Sequence, residues 1–193
     1  MVSGRQSIVD AIRLTDAFHK HMAVAAAICS AFRDAGTRAV MVGGSAVEFY
    51  TAAEYRTGDL DFITAATDRI RAIMDGLGFV NKGGTWVLTD DPRIVVEFPT
   101  GPLVGSQDRV VHVELATGTA IDVVSLEDAI VDRIAAAVHW KESDEFALYM
   151  AVARYDEIDW KYCLKAAEAL ECLEATKRIR VRARRQRAAL RAS

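Results

Sequence analysis

Residues 41–63 read MVGGSAVEFYTAAEYRTGDLDFI. The glycine pair Gly43-Gly44 ends an apolar run, and a short helical pattern over Ser45–Ala53 follows it. A loop then leads into a second apolar run, in which Asp59 and Asp61 lie two residues apart. Side chains at i and i+2 of a strand point to the same face, so the two carboxylates should project side by side. The stretch predicts a strand, a turn into a helix, and a second strand that carries adjacent acids.

The residue types in this stretch suit a cation and a phosphate. Two carboxylates held this close repel each other unless a cation lies between them, and hard oxygen ligands suit Mg²⁺. Gly43 and Gly44 allow the backbone to approach a ligand closely, and the helix start near Ser45 offers unpaired N–H groups to a phosphate. A phosphate-binding turn beside a metal-binding Asp-x-Asp is what transfer from a nucleoside triphosphate requires.

Such a site usually needs a third carboxylate on a neighbouring strand, because two cations need bridging ligands to orient the attacking and leaving oxygens. Three acids in β-branched runs are candidates: Glu97, Glu114 and Asp122. Glu97 is favoured because it follows the longest apolar run just before a turn with Pro99 and Gly101, where a strand end would face the site. Asp122 is the second choice.

The segments Val42-Gly43-Gly44-Ser45 and Asp59-Leu60-Asp61-Phe62 together resemble the motif of the nucleotidyltransferase superfamily. Thr57, preceded by Arg56, is similar to the Arg and Thr that stand just before the acids in minimal bacterial members. The later stretch 132–140 looks like the helix that follows the catalytic domain in small nucleotidyltransferase-like proteins. Some of those proteins belong to toxin–antitoxin or phage-defence pairs. The resemblance covers residues 20–155.

The resemblance implies that a nucleoside monophosphate moves from a nucleoside triphosphate to a hydroxyl acceptor, with release of pyrophosphate. The metal ligands and catalytic residues it implies, for two Mg²⁺ ions, are Asp59, Asp61 and Glu97. The nucleotide-binding residues it implies are Gly43, Gly44, Ser45, Arg56 and Thr57. Hydroxyls on a small molecule, a tRNA end and a protein side chain all suit this chemistry, so the acceptor stays open.

Two other functions compete with this interpretation. The first is a catalytically inactive relative that binds a nucleotide or a partner protein, as an antitoxin-like component would. The number of carboxylates that converge on the glycine turn separates it from an enzyme, since three within reach of one cation favour catalysis. The second is a nucleic-acid-binding module, which rests only on the basic C-terminal residues.

With 193 residues and 51% apolar content, the chain is large enough for one domain and a helical extension. We expect an α/β (α+β) domain over residues 1–124, with a small mixed sheet flanked by helices, and a helical region over 125–193. Residues 5–35 have helical spacing, and Thr15 could cap a second helix there. Short β-branched runs between Phe79 and Val124 predict the remaining strands, and the long last helix should run from Asp159 to about residue 187.

Charge is unevenly distributed along the chain. Residues 176–193 hold eight basic residues and no acidic one, whereas the first 175 residues hold 16 basic and 27 acidic residues. The basic segment 177–191 is therefore a candidate for contact with nucleic acid or an acidic protein surface. A solvated helix end, favoured by the helix dipole, is the simpler interpretation of the same residues.

Cysteine usage and hydropathy point to the cytoplasm. Cys29, Cys163 and Cys172 are odd in number, widely spaced and set in helical patterns, so they are expected to be reduced thiols. No apolar run is long enough for a transmembrane helix, and the N-terminal residues lack an apolar signal core. We therefore expect a cytoplasmic protein with no membrane partner.

Overall fold

The computed structural model describes residues 4–192, and the chain divides into two compact units. The sheet unit comprises Met1–Leu103 and Val110–Val123; the helical unit comprises Val104–Arg109 and Val124–Ser193. The sequence predicts domains over residues 1–124 and 125–193. Residues 1–3 of the first range and residue 193 of the second lie outside the described residues. The division at residue 124 stays a prediction.

The sheet unit is a mixed seven-stranded sheet with helices, in the strand order β3-β4-β5-β2-β1-β7-β6. The expected α/β class with a mixed sheet is confirmed. Strand β1 pairs antiparallel with β2 and parallel with β7, and β5 pairs parallel with β2 and antiparallel with β4. The elements in chain order are α1 (Gly4–Ile12), α2 (Ala17–Asp34), β1 (Ala39–Val42), α3 (Gly43–Tyr50), β2 (Leu60–Thr64), α4 (Ile70–Leu77), β3 (Phe79–Lys82), β4 (Thr85–Leu88), β5 (Val95–Glu97), β6 (Val111–Glu114) and β7 (Ala120–Val123).

Local sequence explains where several of these elements begin. Asp16, not Thr15, caps α2, since its carboxylate accepts the backbone N–H of His19 at 2.8 Å. Helix α3 begins at the glycine pair, two residues earlier than expected, and it ends at Tyr50. Strand β3 was not expected; the two-residue turn Gly83-Gly84 joins it to β4 as a hairpin.

The core of the sheet unit is built from alternating strand residues and the apolar sides of helices. In β2, Leu60 and Phe62 are buried, while Asp61 and Ile63 are partly exposed. The Phe98 ring lies 5.6 Å from that of Phe32 on α2 and 6.0 Å from that of Phe62. Burial of such large side chains is the main source of stability for this unit. It leaves the Asp61 side of β2 accessible.

The helical unit confirms the expected helical C-terminal region. Its helices are α5 (Leu126–Trp140), α6 (Glu145–Ala153), α7 (Trp160–Ala169) and α8 (Leu173–Ala192). Ser125 caps α5, because its hydroxyl oxygen accepts the N–H of Asp128 at 3.1 Å. The single long helix expected from Asp159 is instead α7 and α8, separated by a turn in which Glu171 has a φ of 53°.

A buried carboxylate joins three parts of the helical unit. Asp128, which is 2% exposed, accepts hydrogen bonds from the Tyr162 hydroxyl at 2.7 Å, the Ser125 hydroxyl at 2.8 Å and the Ser106 N–H at 3.2 Å. The guanidinium of Arg109 stacks 4.0 Å from the Tyr162 ring. Burial and the Asp128 carboxylate raise the pKa of Tyr162 to about 12. These contacts tie the 104–109 segment to α5 and α7.

The basic segment 177–191 lies within α8 and packs through its apolar side. Ile179 and Ala183 are 1% and 0% exposed. Most of its cations contact other residues of the helical unit, so the segment is not simply a solvated helix end. The contacts are Lys177 with Glu174, Arg182 with Asp144, Arg187 and Arg191 with Asp156, and Arg180 with the Trp160 ring.

All three cysteines are free and buried. Burial raises the pKa of Cys29 and of Cys163 to about 12, and it also raises the pKa of Cys172. Cys29 and Cys163 lie in α2 and α7, whereas Cys172 lies in the turn before α8. Within the described part of the chain, no helix is both long and apolar enough to cross a bilayer.

Candidate functional site

Three carboxylates meet at one end of the central strands. The parallel register of β2 and β5 places Asp61 directly opposite Glu97, and Asp59 immediately precedes β2. Asp59, Asp61 and Glu97 each offer an oxygen that lies within 4.8 Å of the other two, and all three residues are partly exposed. The residues predicted as a set are therefore neighbours in space.

Each carboxylate has a hydrogen-bond donor of its own. The Thr57 hydroxyl donates to Oδ1 of Asp59 at 2.9 Å, and the Gly44 N–H donates to Oδ2 of Asp61 at 3.2 Å. The Thr85 hydroxyl donates to Oε1 of Glu97 at 3.0 Å. A carboxylate oxygen accepts hydrogen bonds, so these donors hold one oxygen of each side chain in place.

The turn between β1 and α3 lies against the carboxylate of Asp61. Gly43 has a φ of +59°, and a Cβ at this position would collide with Oδ2 of Asp61. Both the left-handed backbone and the close approach therefore require glycine. At Gly44 a Cβ would lie 2.8 Å from Oγ1 of Thr57. The glycine pair thus lets the helix start and the Asp-x-Asp segment pack closely together.

Ser45 links the turn to β2. Its hydroxyl donates to the carbonyl of Val42 at 3.1 Å and accepts the N–H of Asp61 at 2.8 Å. The residue is 0% exposed. The structure describes the Ser45 hydroxyl bonded to Val42, and the phosphate contact of Ser45 stays a prediction. What Ser45 does in the structure is hold the backbone of Asp61 beside the glycine turn.

The two loop residues predicted to contact the nucleotide differ in their surroundings. Thr57 is engaged with Asp59, as described above. Arg56 is exposed in the loop between α3 and β2. Hydrogen bonds from the backbone and ring of His19 lower the pKa of Asp16, and the positive charge of Arg56 adds to this effect. The Arg56 charge thus acts on Asp16, but no ion pair joins Arg56 to another residue in the range 4–192.

The other candidates for the third carboxylate lie elsewhere. Asp122 on β7 is 1% exposed, forms an ion pair with Arg33 at 2.9 Å and lies within hydrogen-bond distance of the His112 ring, also at 2.9 Å. A buried carboxylate needs such partners, and they account for its position. Glu114 is exposed on β6, at the edge of the sheet. The cluster with the two aspartates contains Glu97 instead.

The residues present fit a hard divalent cation. All the clustered ligand atoms are carboxylate oxygens, which suit Mg²⁺ better than softer metals. Within residues 4–192, neither Asp59 nor Glu97 forms an ion pair with a basic side chain, so their negative charge is not compensated by the protein. The positions of Asp59, Asp61 and Glu97 are thus compatible with metal binding, and their role as ligands stays a prediction.

Thr85 is the contact that sequence reasoning missed. It follows Gly83-Gly84 and begins β4, so the sequence marks it only as the first residue of a short β-branched run. Its proximity to Glu97 depends on the pairing of β4 with β5, which no local pattern specifies. A hairpin signal at the glycine pair would have placed β3 beside β4, but not β4 beside β5.

Comparisons with known proteins give little further guidance. No protein-family model and no curated protein matches the chain. Among solved structures, the solution structure of the antibiotic-resistance factor ANT(2'')-Ia is similar to it, with a TM-score of 0.48 and 15% sequence identity. The match covers 86% of this chain and 91% of that chain. A likeness this distant carries no argument about function.

Proposed function

We propose that the protein is a metal-dependent nucleotidyltransferase, which moves a nucleoside monophosphate from a nucleoside triphosphate to a hydroxyl acceptor and releases pyrophosphate. The observation that supports this proposal is the convergence of Asp59, Asp61 and Glu97 within 4.8 Å, beside the Gly43-Gly44 turn. A protein that only binds a nucleotide has no need for a third carboxylate at this point. The glycine turn supplies the close backbone approach that a triphosphate requires.

In the proposed site, Asp59, Asp61 and Glu97 would hold two Mg²⁺ ions. When bound, such ions neutralise triphosphate oxygens and stabilise the charge that develops at the α-phosphorus. Thr57 and the N–H of Gly44 keep the two aspartates oriented, and Ser45 fixes the backbone of Asp61. Preorganised ligands of this kind avoid the cost of ordering side chains during the reaction.

The glycine turn and the loop before β2 form the nucleotide side of the site. Gly43 and Gly44 let the turn lie directly against Asp61 and Thr57, and Arg56 adds a positive charge beside Thr57. In the reaction, the acceptor oxygen forms a bond to the α-phosphorus while the bond between the α-phosphorus and the β-bridging oxygen breaks. We assign the proton of the acceptor hydroxyl to a carboxylate of the cluster, in this proposal Glu97, because a positioned carboxylate can act as a general base.

The basic segment enters this proposal only as a secondary contact. We propose that most of its cations stabilise the helical unit through the ion pairs described above. Arg178, Arg184 and Arg185 are exposed and have no ion-pair partner in the described chain. These three arginines are the ones available for a nucleic acid or an acidic protein surface.

The test uses nucleoside triphosphates labelled on either the α- or the γ-phosphate, with Mg²⁺ and a cell extract as the source of acceptors. Nucleotidyl transfer places the α-label in a product and the γ-label in pyrophosphate, whereas phosphoryl transfer places the γ-label in the product. The matched control is the Asp59→Asn/Asp61→Asn double variant, which keeps the side-chain shapes and removes both charges. Saturable triphosphate binding by the wild type without any labelled product would support the inactive alternative instead.

A further inference from the structure

One side chain in contact with the candidate site, Thr85, lies on the β3–β4 hairpin and has no role in the proposal above. We infer that Thr85 is a positioning residue, which orients Glu97 toward the cation, and this inference rests on the proposed function. The hydroxyl of Thr85 donates to Oε1 of Glu97 at 3.0 Å. Among the described residues, Oε2 of Glu97 has no hydrogen-bond partner, so one oxygen is held and the other is left for a ligand.

Strand pairing determines this contact. Trp86 pairs with Val96 and Val87 with Val95 in the antiparallel ladder of β4 and β5, and the next step of that register sets Thr85 opposite Glu97. Asp61 lies opposite Glu97 on the other side. Thr85, Glu97 and Asp61 therefore form one row across three neighbouring strands, and directly opposed residues share a face of the sheet.

Glu97 needs such a partner more than the two aspartates do. Its side chain has one more rotatable bond than aspartate, and it stands at the last position of the three-residue strand β5. A glutamate there would sample several rotamers, and cation binding would have to order it. Threonine is a suitable anchor because its β-branched side chain is stiff about χ1, and the hairpin turn before it is closed by the hydrogen bond from the Gly84 N–H to Asn81 at 3.2 Å.

The experiment measures Mn²⁺ binding to the nucleotide-free, full-length protein by electron paramagnetic resonance. Thr85→Val keeps the shape of the side chain and removes the hydroxyl, and Thr85→Ser keeps the hydroxyl. We expect Mn²⁺ to bind about tenfold more weakly to Thr85→Val, as for the loss of other partners of metal ligands. Thr85→Ser should restore the wild-type affinity. Without Mn²⁺ the melting temperatures of all three proteins should agree, while Mn²⁺ should raise that of Thr85→Val least.

Thr119→Val is the matched control, since Thr119 is also partly exposed and its hydroxyl also bonds to one side chain, that of Thr117 at 2.8 Å. It should bind Mn²⁺ like the wild type. Equal affinity in Thr85→Val and the wild type would overturn the inference and leave the proposed function standing. Equal weakening in Thr85→Val and Thr85→Ser would also overturn it, because packing and not the hydroxyl would then be responsible. No Mn²⁺ binding by the wild type would overturn both proposals.

Discussion

At the scale of single residues, Asp61 is the most constrained side chain of the candidate site. Its backbone N–H is bonded to Ser45, and its Oδ2 accepts the N–H of Gly44. Gly43 presents only its α-hydrogens to the same oxygen, because a Cβ there would collide with it. The position of this carboxylate is therefore set by backbone geometry on two strands and one helix, and a ligand site built in this way is rigid before any cation arrives.

Asp61→Asn should abolish Mg²⁺-dependent nucleotide transfer and leave the fold intact. The amide oxygen of asparagine can still accept the Gly44 N–H, so the turn keeps its hydrogen bond, whereas a charged ligand oxygen is lost. Loss of a metal ligand removes several kcal/mol of transition-state stabilisation. Transfer of the α-label and thermal unfolding would be measured side by side. Wild-type turnover in this variant would exclude Asp61 from catalysis.

Gly43→Ala should weaken Mn²⁺ binding by more than a loss of folding stability alone can explain. The left-handed backbone costs alanine about 1–2 kcal/mol, and the added Cβ would also push against Oδ2 of Asp61. Gly36→Ala is the matched control, because Gly36 has a φ of +72° and no atom lies within 4 Å of the point that a Cβ would occupy. It should lose similar stability and keep the wild-type Mn²⁺ affinity. Equal Mn²⁺ affinity in both variants would mean that the turn is only structural.

Asp91 should make stability depend on pH. The hydrogen-bonded Arg93 guanidinium holds the pKa of Asp91 at about 2, below its ordinary value of 3.8, and Lys20 contributes. A lowered pKa in the folded state stabilises the protein above the ordinary value, and this contribution is lost as the pH falls toward 2. Asp91→Asn should therefore unfold at lower urea concentration than the wild type at pH 7, with a difference that shrinks between pH 4 and pH 2. A constant difference would exclude this ion pair as its cause.

At the scale of secondary-structure elements, the sequence was most informative where a signal is local. Short apolar runs predict strands over Ala39–Val42 and Thr85–Leu88, and these match β1 and β4 residue for residue. The sequence 125–128 also predicts a helix start capped by Ser125, and Ser125 does cap α5. Strand β3 was missed because Asn81 and Lys82 interrupt its apolar pattern, so its extended form depends on pairing with β4. The break between α7 and α8 was missed because no glycine or proline marks it, and Glu171 adopts the left-handed conformation there.

The candidate site shows the same division between local and long-range information. Asp59 and Asp61 could be paired from their spacing alone. The choice of Glu97 over Asp122 relied on a strand-end argument. The position of Glu97 beside the two aspartates depends on the parallel register of β5 with β2. Asp122 is instead surrounded by Arg33 and His112, which are 89 and 10 residues away in sequence. No single-sequence pattern specifies partners at such separations.

Tyr162→Phe should destabilise the helical unit. The Tyr162 hydroxyl donates to Oδ1 of the buried Asp128 at 2.7 Å, and its removal leaves that oxygen without this donor. We expect the free energy of unfolding to fall by about 1–3 kcal/mol, the usual cost of an unsatisfied buried polar group. Urea unfolding followed by circular dichroism would measure it. Tyr149→Phe, at a site that is 46% exposed on α6, is the control and should change little; similar losses in both would contradict the role given to Asp128.

At the scale of the whole molecule, basic and acidic residues are separated along the chain, yet several of the basic residues in segment 177–191 form ion pairs with acidic residues. The eight basic residues of 177–191 follow 175 residues that are acidic overall. Arg182, Arg187 and Arg191 form ion pairs with acidic residues of the helical unit, and Lys177 pairs within α8. Deleting the segment would also remove the buried Ile179 and Ala183, so substitutions are a cleaner test of its binding role.

Any association of the full-length protein with RNA or DNA should depend only weakly on salt. Each neutralised phosphate contributes about −0.7 to −0.9 to the slope of log K against log salt, so three arginines give a slope no steeper than about −3. Arg178→Gln/Arg184→Gln/Arg185→Gln should remove the part of the salt dependence that comes from the basic segment, whereas Arg182→Gln should leave it unchanged. Titrations of a labelled oligonucleotide at several salt concentrations would measure this slope for the wild type and each variant. A slope near about −7, as for eight cations, would show that the internal ion pairs open on binding.

The contact between Gly43 and Asp61 also has an evolutionary consequence. While a carboxylate occupies position 61, every side chain at position 43 collides with it, so selection for the acid also preserves the glycine. A descendant that has lost the acid is freed from the collision, and only the left-handed backbone then disfavours replacement of the glycine. The two losses therefore have an order, with the acid first. A lineage in which position 43 has drifted away from glycine should be one in which position 61 had already ceased to carry a carboxylate.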